Sequence, residues 1–469
     1  MSEMSSTTGL PRHWSKEGTP DATGGSRVPM LRLSSTNSVL SRDVSGLDLH
    51  GELLPTGVSE REAYIHLLRC NIGPGMLSLP YAWGVVGIGT ATIMFVVVAG
   101  FCVSSFFILL DAKRELSARY GCSTYSEVAE LAYGRVFKRG VEVGVCAFQL
   151  GICVVYFDFV STNCQAVLAN SLGVEFFGDG DSTTRGGFIV LVALMYPVAV
   201  AFTLVRSIKG LSVLSLLGNV FLSVGVVMVL ALLASRLSSG AQAVGKLAKF
   251  EVSNIFLFIG NLAYAFEGIG LVLPVENSME NPDRFGVVLG KAMATIVIVF
   301  FLVGTWGYVA LDGAVTNGSI TAAMKGLVGP AWLAAVNLLC AAAVLVTFPL
   351  QFIAAAQVLD TFWVTEGAAE ASPRLFLVKT YALRAGVVLF CAGCAIVIPD
   401  VGKLISLVGT MCGVSLGLVV PPLIHYRVCT TLSKRWLVLD FSVGIFGLVA
   451  AVAGTAYSIL ALVDPGLVP

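Results

Sequence analysis

Long apolar runs, separated by short polar stretches, recur along the chain from Arg61 onward. Each run is about 20 residues long, which is what an α-helix needs to cross a hydrocarbon core of about 30 Å. The pattern predicts an all-α, polytopic membrane protein with about eleven transmembrane helices. The predicted spans are 61–88, 89–112, 139–168, 186–205, 211–234, 252–281, 286–312, 328–360, 379–398, 401–425 and 436–463.

Two regions lie outside this pattern. Residues 1–58 are rich in Ser, Thr, Gly and Pro and cannot bury enough apolar surface to offset the entropy of ordering. We predict a disordered cytoplasmic tail here, or alternatively a regulatory phosphorylation region, before a transmembrane domain over 59–465. In the polar stretch 113–138, Thr124 and Glu127 have the spacing of a capping box, which predicts a short surface helix ending near Tyr133.

Composition narrows the class of protein. Hydrophobic residues make up 56% of the chain and charged residues 12%, against about 25% charged in soluble domains, so most of the surface must face a lipid bilayer. The net charge of zero does not suggest a nucleic-acid partner. The eleven cysteines lie mostly in apolar runs without a CxxC, so we interpret them as small buried hydrophobes, and we predict no metal and no cofactor.

The positive charges predict the orientation. With the N-terminus inside, the later cytoplasmic loops hold fifteen Lys and Arg residues and the opposite loops hold six. This bias obeys the positive-inside rule for eleven spans. It predicts a cytoplasmic N-terminus and a lumenal or extracellular C-terminus.

Two spans are interrupted in mid-membrane. The first contains Gly73-Pro74-Gly75, and the sixth contains Gly268 and Gly270 beside Glu267. Proline removes a backbone donor, and glycine admits non-helical dihedral angles. Non-helical backbone is tolerated in hydrocarbon only where protein or a watery cavity satisfies it. Interruptions at matching positions of two halves indicate a midplane binding site in inverted-repeat transporters; ordinary kinks or close-packing sites are the alternative interpretation.

The charge-derived topology makes the two halves inverted copies, because the first span starts inside and the sixth starts outside. A half-helix beginning near Gly75 offers N–H groups and a positive dipole end to a carboxylate. Carbonyl groups released near Phe266 and Glu267 suit an ammonium group. An amino-acid zwitterion carries both charges.

Ionisable side chains in apolar runs need a partner or a role. His66 precedes the first break and is a candidate proton carrier or a hydrogen-bonded packing residue. Glu267 lies within the second break and is a second candidate for proton coupling. Asp158, in the third span, is a third candidate, and its role is either ion coupling or helix pairing. We expect Arg384 to pair with an acidic residue or face the cytoplasm, and Glu276 to be solvated.

The sequence carries none of the enzyme motifs H-E-x-x-H, G-x-S-x-G or the Walker P-loop. We therefore predict no enzymatic activity and no direct use of ATP. Coupling must come from an ion gradient or from the substrate gradient.

Residues 65–80 read IHLLRCNIGPGMLSLP and residues 266–277 read FEGIGLVLPVEN. Weaker matches are Thr124–Glu127, Ala132–Gly134 and Ser207–Lys209. Over about 58–465 the chain resembles the amino acid/auxin permease family, within the amino acid–polyamine–cation superfamily. It is most similar to proton-coupled and vacuolar amino acid transporters.

The resemblance implies a five-plus-five inverted repeat with broken helices 1 and 6, alternating access, small neutral L-amino acids as substrates and proton symport. It implies a proton-coupling role for His66. The substrate-binding residues it implies are Asn71, Ile72, Gly73, Gly75, Phe266, Glu267 and Gly268.

The sequence leaves three alternatives open: sodium coupling, facilitated diffusion, and an amino-acid sensor that signals through its tail. The membrane is either vacuolar or lysosomal, or the plasma membrane. The oligomeric state is not predicted.

Overall fold

The computed structural model describes residues 57–120, 122, 124–170, 172–177, 184–204, 208–238, 250–311, 318, 320–324, 329–363, 373–398, 400–429 and 433–464. Except for its last two residues, the predicted tail over 1–58 lies outside the described residues. The described chain is helical, as predicted, with one isolated bridge between Val58 and Met279.

Fifteen α-helices are defined within the described residues. They are α1 Glu60–Asn71, α2 Leu79–Tyr120, α3 Tyr125–Tyr133, α4 Arg135–Asn170, α5 Arg185–Thr203, α6 Ile208–Ser238, α7 Ile255–Ala265, α8 Val272–Ser278, α9 Phe285–Ala310, α10 Ile320–Ala323, α11 Pro330–Trp363, α12 Pro373–Val397, α13 Val401–Val408, α14 Val420–Val428 and α15 Lys434–Val463.

Ten helical stretches of the described chain are long and apolar enough to cross a membrane, and the first, Pro74–Ser117, has 44 residues. At 1.5 Å per residue this stretch measures about 66 Å, more than twice a hydrocarbon core. Gly87 interrupts it with φ 74°, a left-handed conformation that favours glycine. Divided at Gly87, the stretch belongs to two crossings, and α1 begins the first of them. Counted in this way, the described residues contain eleven crossings, as predicted.

Aromatic packing fixes the half of the first crossing that follows the break. The indole of Trp83 is fully buried, with ring centroids 5.5 Å from Phe95 and 5.3 Å from Phe258. Gly304 in α9 lies against the same indole, where an added Cβ would come within 2.6 Å of the ring. This cluster joins α2, α7 and α9 on one side of the two breaks.

The predicted surface helix is α3. Thr124 and Glu127 form the capping box at its start, and the hydroxyl of Tyr125 donates to the carbonyl of Leu416 at 2.7 Å. The helix is therefore attached to the tenth crossing.

The structure corrects one prediction and confirms another. Glu276 is not solvated: it is 2% exposed and forms ion pairs of 3.0 Å with both Lys113 and Arg114. The reason is that α8 packs against α1 and α2, so this end of the sixth crossing lies inside the bundle. Arg384 pairs with Asp360 at 3.4 Å, as expected.

Candidate functional site

The first break separates α1 from a short 3₁₀ turn, Pro74–Ser78. Ile72 leaves the helical region (φ −82°, ψ 79°), and Gly73 is extended. Proline at the start of the turn has no N–H to leave unpaired. Gly75 lies in the first turn, where backbone N–H groups have no acceptor within the helix.

The second break has the same construction. α7 ends at Ala265, Phe266 leaves the helical region (φ −87°, ψ 37°), and a 3₁₀ turn over Glu267–Leu271 leads into α8. Phe266 is 4% exposed, and its ring lies 5.1 Å from that of Phe300. The predicted interruptions in the first and sixth crossings are therefore both present.

The two breaks touch one another. A Cβ added to Gly268 would lie 2.5 Å from Nδ2 of Asn71, and one added to Gly75 would lie 2.9 Å from the ring of Tyr264. Only residues without a side chain allow this approach. Had either segment been an unbroken helix, or had the two faced away from each other, the sequence interpretation would have been wrong.

Asn71 is the buried polar side chain at this contact. It is 2% exposed, and its amide donates to the carbonyl of Leu67 at 2.9 Å. Its Oδ1 has no hydrogen-bond partner among the described residues. A buried acceptor without a partner is costly, so this oxygen is suited to receive a donor from a bound molecule.

Two clefts flank the contact, and α4 contributes to both of them. Ile72 and Gly73 line one cleft, together with Tyr156 of α4. The other is lined by Phe266 and by Gln149 of α4. Backbone and mostly apolar side chains form the walls, as is usual for small-molecule sites.

The candidate proton carriers lie in different places. Asp158 in α4 is fully buried; one oxygen accepts from Thr162 at 3.2 Å, and the other has no partner among the described residues. Asp158 lines neither cleft, and it is close enough to Asp400 to interact electrostatically. His66 is half-buried in α1, near Glu62. The backbone of Glu267 begins the 3₁₀ turn, but its side chain lies outside the described residues.

A third distortion was not predicted from the sequence. Between α13 and α14 the tenth crossing forms two π-helical turns, Gly409–Gly413 and Ser415–Val419. Such turns are frequent at functional sites. Gly413 and Leu416 line the cleft beside the second break. The sequence feature that points to this region is the spacing of Gly409, Gly413 and Gly417, which is the small-xxx-small pattern of close helix packing.

Two discontinuous crossings that meet inside a helical bundle are the arrangement found in membrane transporters. The chain belongs to the family described as transmembrane amino acid transporter protein, whose sequence model matches residues 56–460.

Named relatives support this assignment. The chain is 27% identical over 406 residues to vacuolar amino acid transporter 3 of Saccharomyces cerevisiae, covering 86% of this chain and 56% of that protein. It is 26% identical over 386 residues to the proton-coupled amino acid transporter-like protein pathetic of Drosophila melanogaster, covering 79% of this chain and 77% of that protein. The chain thus spans about half the length of the yeast relative.

Among solved structures, a Na⁺-coupled sialic acid symporter is similar with a TM-score of 0.49 and 14% identity, covering 86% of this chain and 90% of that one. A similarity of this level carries no functional inference.

Proposed function

We propose that this chain is a secondary active transporter of small neutral L-amino acids that works by alternating access with proton coupling. The observation that carries the proposal is the contact between the two breaks, with the unpartnered Oδ1 of Asn71 buried beside it. The family match to residues 56–460 supports an amino acid as the substrate.

Helix ends at the breaks supply both kinds of recognition. The turn that begins at Pro74 presents N–H groups and the positive end of its dipole, which suit the carboxylate of an amino acid. On the opposite side, carbonyl groups near Phe266, where α7 ends, and the Oδ1 of Asn71 suit its ammonium group. We therefore assign substrate binding to both breaks: Asn71, Ile72, Gly73 and Gly75 in the first, and Phe266, Glu267 and Gly268 in the second.

The closeness of the contact favours small substrates. Gly75 faces the ring of Tyr264, and Gly268 faces the amide of Asn71, with no room for a methyl group at either glycine. Phe266 lines the cleft beside the second break. Such a site suits side chains of the size found in alanine, glycine or proline.

Proton coupling requires a group that exchanges a proton as the bundle changes shape. Asp158 is the first candidate, because within the described residues this fully buried carboxyl has no Lys, Arg or His partner. A carboxylate buried without a cation is costly, which is why we propose that Asp158 exchanges a proton during transport. His66 and Glu267 are the other candidates. The Drosophila relative is named as proton-coupled transporter-like, which supports protons as the coupling ion.

For the membrane, we propose a vacuolar or lysosomal location, or else the plasma membrane, with the N-terminus in the cytoplasm and the C-terminus on the other side. Relatives named as vacuolar transporters support the first choice.

The test is uptake of radiolabelled L-alanine into liposomes that contain the purified protein. An imposed pH gradient of about two units should accelerate uptake severalfold, and a sodium gradient at equal pH on both sides should not. Uptake that follows the sodium gradient alone, or that ignores both gradients, would remove the proton claim. No saturable uptake of any amino acid would remove the transport claim.

A further inference from the structure

Three helices meet around His425, away from the two breaks. The imidazole of His425, in α14, is fully buried. Its Nδ1 lies 2.7 Å from Oδ2 of Asp440 in α15, and its Nε2 lies 3.2 Å from Oδ2 of Asp111 in α2. The proposed transport function uses none of these residues.

A fourth side chain completes a set of metal-ligand types. Cys429 follows His425 by four residues, and its N–H donates to the carbonyl of His425 at 2.9 Å, so the two side chains lie on one face of the helix end. One ligand atom from each of Asp111, His425 and Cys429 lies within 4.8 Å of the others. Nitrogen, sulfur and carboxylate oxygen are the ligands that Zn²⁺ takes in proteins.

The spacing agrees with a shared tetrahedral ion. Zn–N and Zn–O bonds of about 2.0–2.2 Å at a tetrahedral angle place the two ligand atoms about 3.3 Å apart. The observed distance from Nε2 of His425 to Oδ2 of Asp111 is 3.2 Å. The sulfur of Cys429, which follows the end of α14, lies within 4.8 Å of a ligand atom of each of the other two residues.

Asp440 has the position of an outer carboxylate. A metal-binding histidine usually donates its other ring N–H to a carboxylate, which fixes the tautomer, and Asp440 at 2.7 Å from Nδ1 is placed for this role. Asp440 is 3% exposed, and its Oδ1 has no partner among the described residues. Two ionised carboxylates, Asp111 and Asp440, flank His425. Their combined charge with a protonated imidazole is still −1, so the cluster favours a further cation. The Asp111 side chain is 55% exposed and gives access from water.

We propose that Asp111, His425 and Cys429 bind a divalent transition-metal ion of the zinc type, with Asp440 orienting the imidazole and water completing the coordination. This assignment departs from the sequence prediction that the cysteines are only buried hydrophobes and that no metal is bound. An ion at this site joins α2, which continues from the first break, to the last two crossings.

Cobalt(II) is the probe, because a cysteine thiolate bound to Co²⁺ gives a charge-transfer absorption band. The full chain in lipid nanodiscs is stripped with a chelator and titrated with Co²⁺ alone. We expect one ion per chain, a thiolate band, and a rise of the unfolding temperature by a few degrees through mass action. Cys429→Ser and Asp111→Asn should each weaken binding at least tenfold, and Cys429→Ser should abolish the band.

The matched control is Cys394→Ser, which changes another half-buried cysteine, in α12; it should bind Co²⁺ as the wild type does. Absence of Co²⁺ and Zn²⁺ binding by the wild type would show that the cluster is only an imidazole between two carboxylates and would overturn the proposal. A thiolate band that survives Cys429→Ser would do so as well. Because the readout is metal binding, the result is independent of whether the chain transports amino acids.

Discussion

Two buried carboxylates in this bundle have opposite surroundings. Glu276, near the end of the sixth crossing, is held by Lys113 and Arg114 at 3.0 Å. Asp158, in the third crossing, has one hydroxyl donor and an oxygen without a partner among the described residues. Since both are almost completely buried, burial alone does not separate structural from functional acids. We propose that the presence of a cation separates them: an acid paired with a cation holds helices together, and an acid without a cation can exchange a proton.

The largest effect that this comparison predicts follows from Glu276→Gln. The substitution leaves the buried ammonium of Lys113 without a counter-charge, and breaking a buried pair in this way costs about 3–5 kcal/mol. We expect a large loss of folded protein and a clearly lower unfolding temperature in nanodiscs. The control is Glu280→Gln, which changes an exposed acid four residues further along the chain. It should shift the free energy of unfolding by less than about 0.5 kcal/mol. Equal stability of the two variants would contradict the structural role.

The counterpart is Asp158→Asn. The amide keeps the shape of the side chain and removes the ionisable group, so stability should be unchanged or slightly higher. Alanine uptake driven by a pH gradient should fall at least tenfold, while exchange of labelled for unlabelled alanine at equal pH persists. Glu142→Gln, which changes a half-buried acid near the start of the same helix, is the control and should leave uptake unchanged. Wild-type uptake by Asp158→Asn would remove Asp158 from the coupling mechanism.

A smaller effect is expected at the contact between the breaks. Gly268→Ala places a methyl group against the amide of Asn71, which should lower alanine affinity about tenfold with the protein still folded. Gly393→Ala in α12 has open space around the added carbon and serves as the matched control. If both variants bind alanine equally well, the contact is not part of the binding site.

The smallest effect concerns the start of α1, where Ser59 and Glu62 form a capping box. Ser59→Ala removes this cap, which typically costs about 1 kcal/mol. The unfolding temperature should fall slightly, and the response of uptake to pH should be unchanged. A changed pH response would show that this end of α1 takes part in coupling.

The sequence predicted the spans, the capping box at Thr124 and the two breaks, because hydropathy, proline and glycine are local signals. It did not show that Glu276 is buried, since Lys113 lies 163 residues away in the chain and only tertiary packing brings the two together. The π-helical turns were missed for a similar reason: glycine spacing indicates close packing but not a change of helix type.

Candidate site residues differ in the same way. That Gly75 and Gly268 belong to breaks was predictable from their neighbours in the sequence. The unpartnered Oδ1 of Asn71 was not, because it depends on which groups the second break brings near it. Asp111 lies more than 300 positions before His425 and Cys429, so only tertiary packing reveals that the three residues form a cluster.

The most direct test of the account compares two buried asparagines. Asn71 and Asn261 both donate to the carbonyl four residues earlier, and both have an Oδ1 without a partner among the described residues, but only Asn71 touches the opposite break at Gly268. We predict that Asn71→Ala weakens equilibrium binding of radiolabelled L-alanine to the purified protein at least tenfold, while Asn261→Ala changes it less than threefold at equal folded fraction. Unchanged binding by Asn71→Ala, or an equal loss in both variants, would contradict a binding site at the crossing of the two breaks.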